Sequence, residues 1–211
     1  MILIGQFDSP FVRRVGIALE TYGLAFEHRP WAVFGDADKL AAINPLMRVP
    51  TLVLDDTAVL VETLAILDAL DEQAPADKRL IAASGPQRRE TLRICSLAGG
   101  ISDKAVSLFY EVNFHDAPNA AFVSRLEAQI RNTVSLLETE RSRVATPWWF
   151  GAQLTHADIA VAAALRHLVE SQGGRYRLGD WPALDRHCAA CEALPVFKKI
   201  SQPFVFTPAK S

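Results

Sequence analysis

The sequence predicts two domains, a compact α/β domain followed by an all-α domain. Short apolar runs typical of strands alternate with amphipathic segments across residues 1–76, whereas residues 87–211 carry helical periodicity alone. Between them, residues 77–86 interrupt both periods and end in Gly85-Pro86, a strong turn signal. We therefore expect an α/β domain over 1–76, a linker over 77–86 and a helical domain over 87–211.

The first strand is followed by a helix that begins at a serine. Residues 2–4 are an apolar run, and apolar positions then recur over residues 12–19 at the spacing of one helical stripe. Ser9 is a preferred N-cap residue, and Pro10 takes the first helical position, where its missing N–H costs nothing. Gly23 is typical of a C-terminal cap. A helix N-terminus at Ser9 would carry partial positive charge and unpaired donors, which suit an anion.

Three more strands and two more helices complete the first domain. The predicted elements are a strand at 26–31, a helix at 38–44, strands at 51–54 and 58–61 around a turn at 55–57, and a helix that opens at Glu62-Thr63. Pro50 precedes a strand, where the X-Pro bond can be cis, although the sequence leaves its isomer open. The order is β-α-β-α-β-β-α, and its short connections favour a compact α/β unit.

Helical signals fill the second domain. They predict helices at 87–109, 123–137 and 159–168. The last of these is apolar on almost every side and should be buried, and Thr155 with Asp158 forms a capping box at its start. Gly99-Gly100 indicates a kink or a close-packing point in the long helix. The aromatic run at 148–150 indicates core packing between the domains.

Composition argues against several kinds of partner. Of the 211 residues 22% are charged and the formal net charge is −2, which gives no reason to expect nucleic acid or an anionic membrane. No run approaches the roughly 18 apolar residues of a membrane span, and the N-terminus lacks a secretory pattern. Three cysteines, an odd number, favour a reducing, cytoplasmic setting. Cys188-x-x-Cys191 has no second pair to complete a zinc site, and the histidines lack metal-ligand spacing, so we expect no metal.

Three short motifs carry a family resemblance. They are Ser9-Pro10-Phe11 at the first turn, Val49-Pro50 before the third strand, and Glu62-Thr63 before the third helix. Their order and spacing resemble the thioredoxin-like domain of cytosolic glutathione transferases of the serine type, and the capping box resembles that family's helical domain. The resemblance implies that Ser9 activates a thiol, that Val49 pairs its backbone with the cysteinyl part of glutathione, and that Glu62 and Thr63 hold the γ-glutamyl end. Threonine stands at 63 where serine is usual.

The implied roles suit these residue types. A free thiol has a pKa of about 8.5, and the Ser9 hydroxyl, aided by the helix N-terminus, would stabilise its thiolate as a hydrogen-bond donor rather than act as a nucleophile. Glu62 can pair with an ammonium group, while the Thr63 hydroxyl and nearby amides can receive a carboxylate. Phe11 and Arg48 complete the expected glutathione site. Taken singly, Ser9 as a simple cap, Glu62 as a solvated first-turn acid and Arg48 as an exposed loop arginine are the alternatives.

The resemblance implies a transferase that conjugates glutathione, its co-substrate, to a small hydrophobic electrophile, with no other cofactor. It also implies a homodimer with a role in detoxification. Peroxidase or isomerase chemistry with the same thiolate is one alternative, and a non-catalytic interaction module with the same fold is another. The electrophile should lie between the domains on apolar side chains, for each of which ordinary core packing is the alternative. The candidates are Phe11, Phe34, Ile101, Ala105 and Phe109.

Overall fold

A computed structural model describes residues 1–206, and a four-stranded sheet forms the centre of its N-terminal part. The strands are β1 (Ile2–Ile4), β2 (Glu27–Arg29), β3 (Thr51–Val53) and β4 (Val59–Val61). Their order is β2-β1-β3-β4, in which β1 runs parallel to β2 and antiparallel to β3, and β3 runs antiparallel to β4. All four predicted strands are confirmed, and β2 is shorter than its predicted span because Pro30 follows its last residue.

Helices make up the rest of the described chain. They are α1 (Pro10–Tyr22), α2 (Ala37–Ala41), α3 (Thr63–Gln73), α4 (Gly85–Phe114), α5 (Ala120–Ser142), α6 (His156–Ser171), α7 (Pro182–Ala193) and α8 (Pro195–Lys199). Short 3-10 helices occur at Ala76–Lys78 and Leu178–Asp180. The predicted fold class, a thioredoxin-like α/β part followed by an all-helical part, is confirmed. The three predicted helices of the second part each extend beyond their predicted spans at both ends.

Helix α1 connects the two parts of the molecule. It packs against β1 and α3 on one side and against α6 on the other, so nearly all of its residues are buried. Arg13 anchors it to the C-terminal helices: its guanidinium pairs with both oxygens of Glu192 at 2.6 and 2.7 Å and donates to the carbonyls of Phe197 and Ile200. The first turn of α1 is therefore held by residues 179 to 187 positions away in sequence.

Helix α6 lies at the centre of the helical part, as predicted. Its capping box is formed: the Thr155 side chain accepts a hydrogen bond from the backbone N–H of Asp158, and the Asp158 carboxylate accepts one from the backbone N–H of Thr155. Two other expectations are corrected. Helix α4 continues unbroken through Gly99-Gly100, where an added Cβ would meet no atom within 4 Å, so this is not a close-packing point. Trp149 is buried, but its ring packs on His187 inside the helical part rather than between the domains.

The cysteines are structural. Cys95, Cys188 and Cys191 are all free and buried, and burial raises the pKa of the Cys188 thiol to about 12. Neither cysteine of the C-x-x-C pair is therefore a reactive thiolate near neutral pH. Within residues 1–206, no helix combines the length and the apolar character that crossing a bilayer requires.

Two buried histidines lead us to expect that acid destabilises the fold. Burial lowers the pKa of His167 and of His187 from 6.5 to about 4. Between those pH values the unfolded chain binds more protons than the folded one, so stability falls as pH drops through the window. At 1.36 kcal/mol per pKa unit, each histidine removes up to about 3 kcal/mol by pH 4. Urea unfolding at pH 7 and pH 4.5 measures this loss. His187→Gln should reduce it, and the exposed His115→Gln should not; an equal loss in both variants would contradict the assignment.

Candidate active site

The turn that precedes α1 presents the Ser9 hydroxyl at a cleft. Gly5 lies in this connection with a φ of 126°, and a Cβ there would come within 2.5 Å of Val12 and 2.8 Å of Val49, so only glycine fits. The Ser9 oxygen accepts hydrogen bonds from the backbone N–H groups of Phe11 and Val12 at 3.3 and 3.4 Å. Because these bonds use the oxygen's lone pairs, the hydroxyl hydrogen stays free to be donated to another group. Capping and donation are thus compatible at this residue.

A buried asparagine fixes the loop that carries Val49-Pro50, whose peptide bond is cis. The Asn44 side chain, 1% exposed, donates to the Arg48 carbonyl at 3.0 Å and to the Thr51 hydroxyl oxygen at 2.9 Å. The sequence identified Asn44 only as a helix stop. Its polar side chain among apolar neighbours gave no pattern from which a positioning role could be read.

The start of α3 is strained and lacks a side-chain cap. Glu62 has φ 71° and ψ 127°, which is unfavourable for a residue with a Cβ and is typical of functional sites. Its side chain makes no capping bond, so the amides of the first turn of α3 are available to an anion. Thr63 is the first helical residue. An Arg48 nitrogen lies 3.6 Å from the Glu62 carboxylate, and another lies 3.8 Å from that of Asp103 on α4.

The six residues predicted to bind glutathione lie around one pocket. Those residues are Phe11, Arg48, Val49, Pro50, Glu62 and Thr63, joined there by Asn44, Leu46 and Val61. Three of them, Phe11, Arg48 and Val49, also line the larger cleft that contains Ser9. Thus the three sequence motifs, far apart along the chain, meet in one continuous depression. Their roles stay predictions at this point, since geometry alone does not identify a ligand.

The larger cleft has a volume of about 750 Å³ and is dominated by aromatic rings. The aromatic lining residues are Phe11, Trp31, Phe34, Phe109, Tyr110, Phe114, Phe204 and Phe206. Several are in contact, as shown by centroid distances of 5.3 Å for Phe34 and Phe114 and 4.8 Å for Phe109 and Phe206. This wall suits a flat or apolar ligand.

Two of the residues expected to contact the electrophile do not line the cleft. Ile101 and Ala105 are 1% and 0% exposed and pack in the core, because they lie on the face of α4 that is turned away from the cleft. The neighbouring face carries the lining residues of this helix, and Phe109 is among them. Those residues are Asp103, Val106, Ser107, Phe109, Tyr110 and Phe114.

The sequence also missed the contribution of residues 204–206. This segment lines the cleft and is held in place where the Phe204 N–H donates to Glu170 at 3.1 Å and the Phe7 N–H donates to Gln202 at 3.3 Å. Two phenylalanines in an extended segment gave a weak signal, since no periodicity accompanies them.

The charged side chains that line the cleft are two acids, Asp8 and Asp103, and one cation, Arg48. Burial raises the pKa of the Asp8 carboxyl. His167 is neutral near pH 7, since burial lowers its pKa to about 4, and its Nδ1 lies 3.2 Å from the Asp8 carbonyl oxygen. The Arg48 cation lies near both Glu62 and Asp103. The cleft therefore offers little attraction to a ligand with several negative charges.

Comparisons with known proteins agree with this arrangement. Residues 3–79 match the model of the glutathione S-transferase N-terminal domain, and residues 120–190 match that of its C-terminal domain. Maleylacetoacetate isomerase of Pseudomonas aeruginosa is 26% identical, over 94% of each chain. A glutathione S-transferase of Methylobacterium radiotolerans, solved with glutathione sulfonate, superposes with a TM-score of 0.90 at 26% identity over 100% of this chain and 98% of the other. A glutathione transferase family member from Pseudomonas fluorescens, solved with bound glutathione, superposes with a TM-score of 0.84 at 27% identity over 96% of this chain and 99% of the other.

Proposed function

The chain belongs to the glutathione S-transferase family, and on that premise we propose that it conjugates the glutathione thiolate to an uncharged, hydrophobic electrophile. The observation that carries this proposal is that Val49-Pro50 and Glu62-Thr63 line one pocket, which shares Phe11, Arg48 and Val49 with the aromatic cleft that contains Ser9. A non-catalytic interaction module is less well supported, since none of the three motifs is degraded. By family resemblance we further propose a cytoplasmic homodimer that acts in detoxification, and sedimentation analysis tests its oligomeric state.

The pocket suits each part of the tripeptide. Glu62 meets the γ-glutamyl ammonium group, and Thr63 with the first-turn amides of α3 meets the neighbouring carboxylate. The cysteinyl part runs along the Val49 backbone, which directs the thiol to the Ser9 turn. Arg48, whose nitrogens lie near Glu62 and Asp103, is available to the glycine carboxylate at the mouth of the pocket. We assign these roles as a proposal from residue chemistry and proximity.

The reaction needs only a stabilised thiolate and an oriented electrophile. The thiol loses its proton to solvent, and the Ser9 O–H and the positive end of α1 stabilise the resulting anion. A sulfur electron pair then forms the bond to an electrophilic carbon. In a substitution, the leaving group departs with the electrons of its broken bond; in an addition to an activated double bond, the adjacent carbon takes a proton from water. Holding both reactants side by side supplies much of the rate.

Glutathione binding tests the proposal directly. We expect calorimetry to detect binding at millimolar glutathione or below, and Glu62→Gln to weaken it about 10- to 100-fold, because a charged hydrogen bond contributes about 1.5–3 kcal/mol. Glu72→Gln is the matched control, since it removes an exposed acid from the other end of the same helix. Absence of binding to the unaltered protein would refute the proposed function. Equal weakening by both variants would refute the role of Glu62.

Isomerisation is a second candidate because of the similarity to a maleylacetoacetate isomerase. The same thiolate would add to a double bond, allow rotation about the resulting single bond and then leave, so glutathione is not consumed. The charges of the cleft favour conjugation, since Asp8 and Asp103 would repel a dicarboxylate and we assign Arg48 to the glycine carboxylate of glutathione. Assays with an aryl halide and with maleylacetoacetate separate the two reactions. Faster turnover of maleylacetoacetate would reverse our order of preference.

A further inference from the structure

Asp8 lies directly before Ser9 and lines the same cleft. The reaction proposed above leaves two proton transfers to solvent: one from the thiol and, in an addition, one to the carbon next to the new C–S bond. A carboxyl group at the reacting atoms can make such transfers as a general acid or base. Of the two acids that line the cleft, Asp8 and Asp103, only Asp8 belongs to the turn that presents the Ser9 hydroxyl.

Two hydrogen bonds fix the turn that contains Asp8. The Ser9 N–H donates to the Gln6 carbonyl at 3.2 Å. The Nδ1 atom of His167, on α6, lies 3.2 Å from the Asp8 carbonyl oxygen. Because a carbonyl oxygen only accepts, this nitrogen carries the hydrogen of the neutral imidazole. The backbone of Asp8 is therefore held in place both within the turn and from the helical part of the chain.

Asp8 lies where this turn meets the aromatic wall of the cleft. The His167 ring that contacts the Asp8 backbone packs edge-on against Phe204, with 5.5 Å between the ring centroids. Phe204 in turn packs on Phe109 of α4 at 5.3 Å. All of these residues line the cleft. An electrophile that lies on this wall and receives sulfur at the Ser9 turn would thus have Asp8 beside its reacting carbons.

The Asp8 carboxyl is partly withdrawn from water and is not neutralised by the cation of the cleft. The nitrogens of Arg48 lie 3.6 Å from the Glu62 carboxylate and 3.8 Å from that of Asp103, so the ion-pair partners of this cation are other acids. The Asp8 side chain is half-buried, and burial raises the pKa of its carboxyl. Such a group holds a proton more readily than a solvated aspartate does.

The groups that face Asp8 from α6 do not reverse this direction. Glu170 adds to the effect of burial on the pKa of Asp8, whereas the backbone N–H groups of Ser9 and of Asp8 itself oppose part of the increase. Glu170 is paired with Arg166 at 2.8 Å. His167 adds no positive charge near neutral pH, since burial lowers its pKa to about 4. The pKa of Asp8 is therefore shifted toward that of a thiol, which makes proton exchange between the two groups easier.

On the premise of the proposed function, we propose that Asp8 carries the thiol proton of glutathione to the α carbon of an α,β-unsaturated carbonyl substrate. The carboxylate takes the proton, and the electrons of the S–H bond stay on sulfur. Sulfur then forms a bond to the β carbon while the electrons of the double bond move toward the carbonyl to give an enolate. The Asp8 O–H bond breaks as its proton passes to the α carbon, which regenerates the carboxylate. No other reactant is consumed.

This role distinguishes addition from substitution. When an aryl halide reacts, the halide departs with the electrons of its bond and the thiol proton ends in solvent, so Asp8 has no second transfer to make. The transfers of the addition move one negative charge between Asp8 and the substrate atoms and leave the total charge of the cleft unchanged. Dicarboxylates therefore remain disfavoured, and uncharged enones are the substrates that gain most from Asp8.

Turnover of cyclohexenone and of an aryl halide by Asp8→Asn tests the proposal. Asparagine keeps an oxygen that can accept the N–H bonds of the turn, but it cannot carry the proton. We expect kcat for cyclohexenone to fall at least about tenfold and kcat for the aryl halide to change by less than about threefold. Asp116→Asn, at an exposed position outside the cleft, should match the unaltered protein with both substrates. Equal losses for the two substrates, or no loss for cyclohexenone, would overturn the proposal.

The position of deuterium in the product separates proton delivery from a structural effect. In heavy water the unaltered protein should place deuterium at the α carbon on one face relative to the new C–S bond, as measured by NMR. Asp8→Asn should place it on both faces, because water then delivers it. A single face retained in Asp8→Asn would show that another group makes the transfer. Glutathione binding and aryl-halide turnover by the unaltered protein test the proposed function itself, so failure of one proposal is distinguishable from failure of the other.

Discussion

Replacing Ser9 with alanine is expected to lower kcat/KM for conjugation by about 10- to 100-fold near neutral pH. The loss arises because the bound thiolate no longer receives a charge-assisted hydrogen bond, which contributes about 1.5–3 kcal/mol. At 1.36 kcal/mol per unit, the pKa of bound glutathione should rise by about one to two units. Because this pKa is higher in the variant, the variant should recover most of its rate at alkaline pH, where the thiol ionises unaided. Titration of thiolate absorbance in the binary complex measures the shift directly.

A capping role predicts a different outcome for the same substitution. Loss of an N-cap costs about 0.5–2 kcal/mol of stability, whereas glycine at that position costs only a few tenths. Ser9→Gly should therefore leave stability nearly unchanged while losing the thiolate shift, and Ser9→Thr should keep both hydroxyl functions. If Ser9→Ala and Ser9→Gly both ionise glutathione as the unaltered protein does, Ser9 is a helix cap and no more.

Local signals predicted the elements of the fold because each depends on neighbours in sequence. Ser9 caps α1, Gly23 ends it in the left-handed conformation, and Thr155 with Asp158 starts α6, all as the sequence indicated. The residues predicted to bind glutathione lie around one pocket, since they sit at element boundaries that turn chemistry reveals. What failed was the choice of helix face: Ile101 and Phe109 lie eight residues apart, yet only Phe109 reaches the cleft.

Other features of the site depend on long-range contacts that no local pattern encodes. Residues 204–206 are held at the cleft because Phe204 and the nearby Gln202 form hydrogen bonds with residues distant in sequence. Asn44 holds the loop before β3 through hydrogen bonds of its side chain. Arg14 and Arg13 are indistinguishable as a sequence pair. Only packing pairs Arg13 with Glu192 and buries Arg14 on a different face of α1. A buried charge is a property of the fold, so its consequence becomes visible only in three dimensions.

The largest loss of stability is expected from Asp158→Ala. The carboxylate is 0% exposed and accepts from the Trp149 N–H at 2.7 Å, from the Thr155 N–H at 2.8 Å and from the Thr155 hydroxyl at 2.7 Å. Alanine leaves these buried donors unsatisfied, and each costs about 1–3 kcal/mol. We expect a total of about 3–5 kcal/mol, close to half of the stability of many domains, and a fall in melting temperature of roughly 10 °C.

Three comparisons separate this network from a general effect of removing an acid. Asp185→Ala, on an exposed position of α7, should change the free energy of unfolding by less than about 0.5 kcal/mol. Asp158→Asn should fall between the two, because one amide oxygen can still accept from Trp149 while its NH₂ group opposes the donors of Thr155. Below the melting temperature, glutathione affinity per folded molecule should be unchanged in all three variants. An Asp158→Ala protein as stable as Asp185→Ala would show that the box is not what holds α6 at the centre of the helical part.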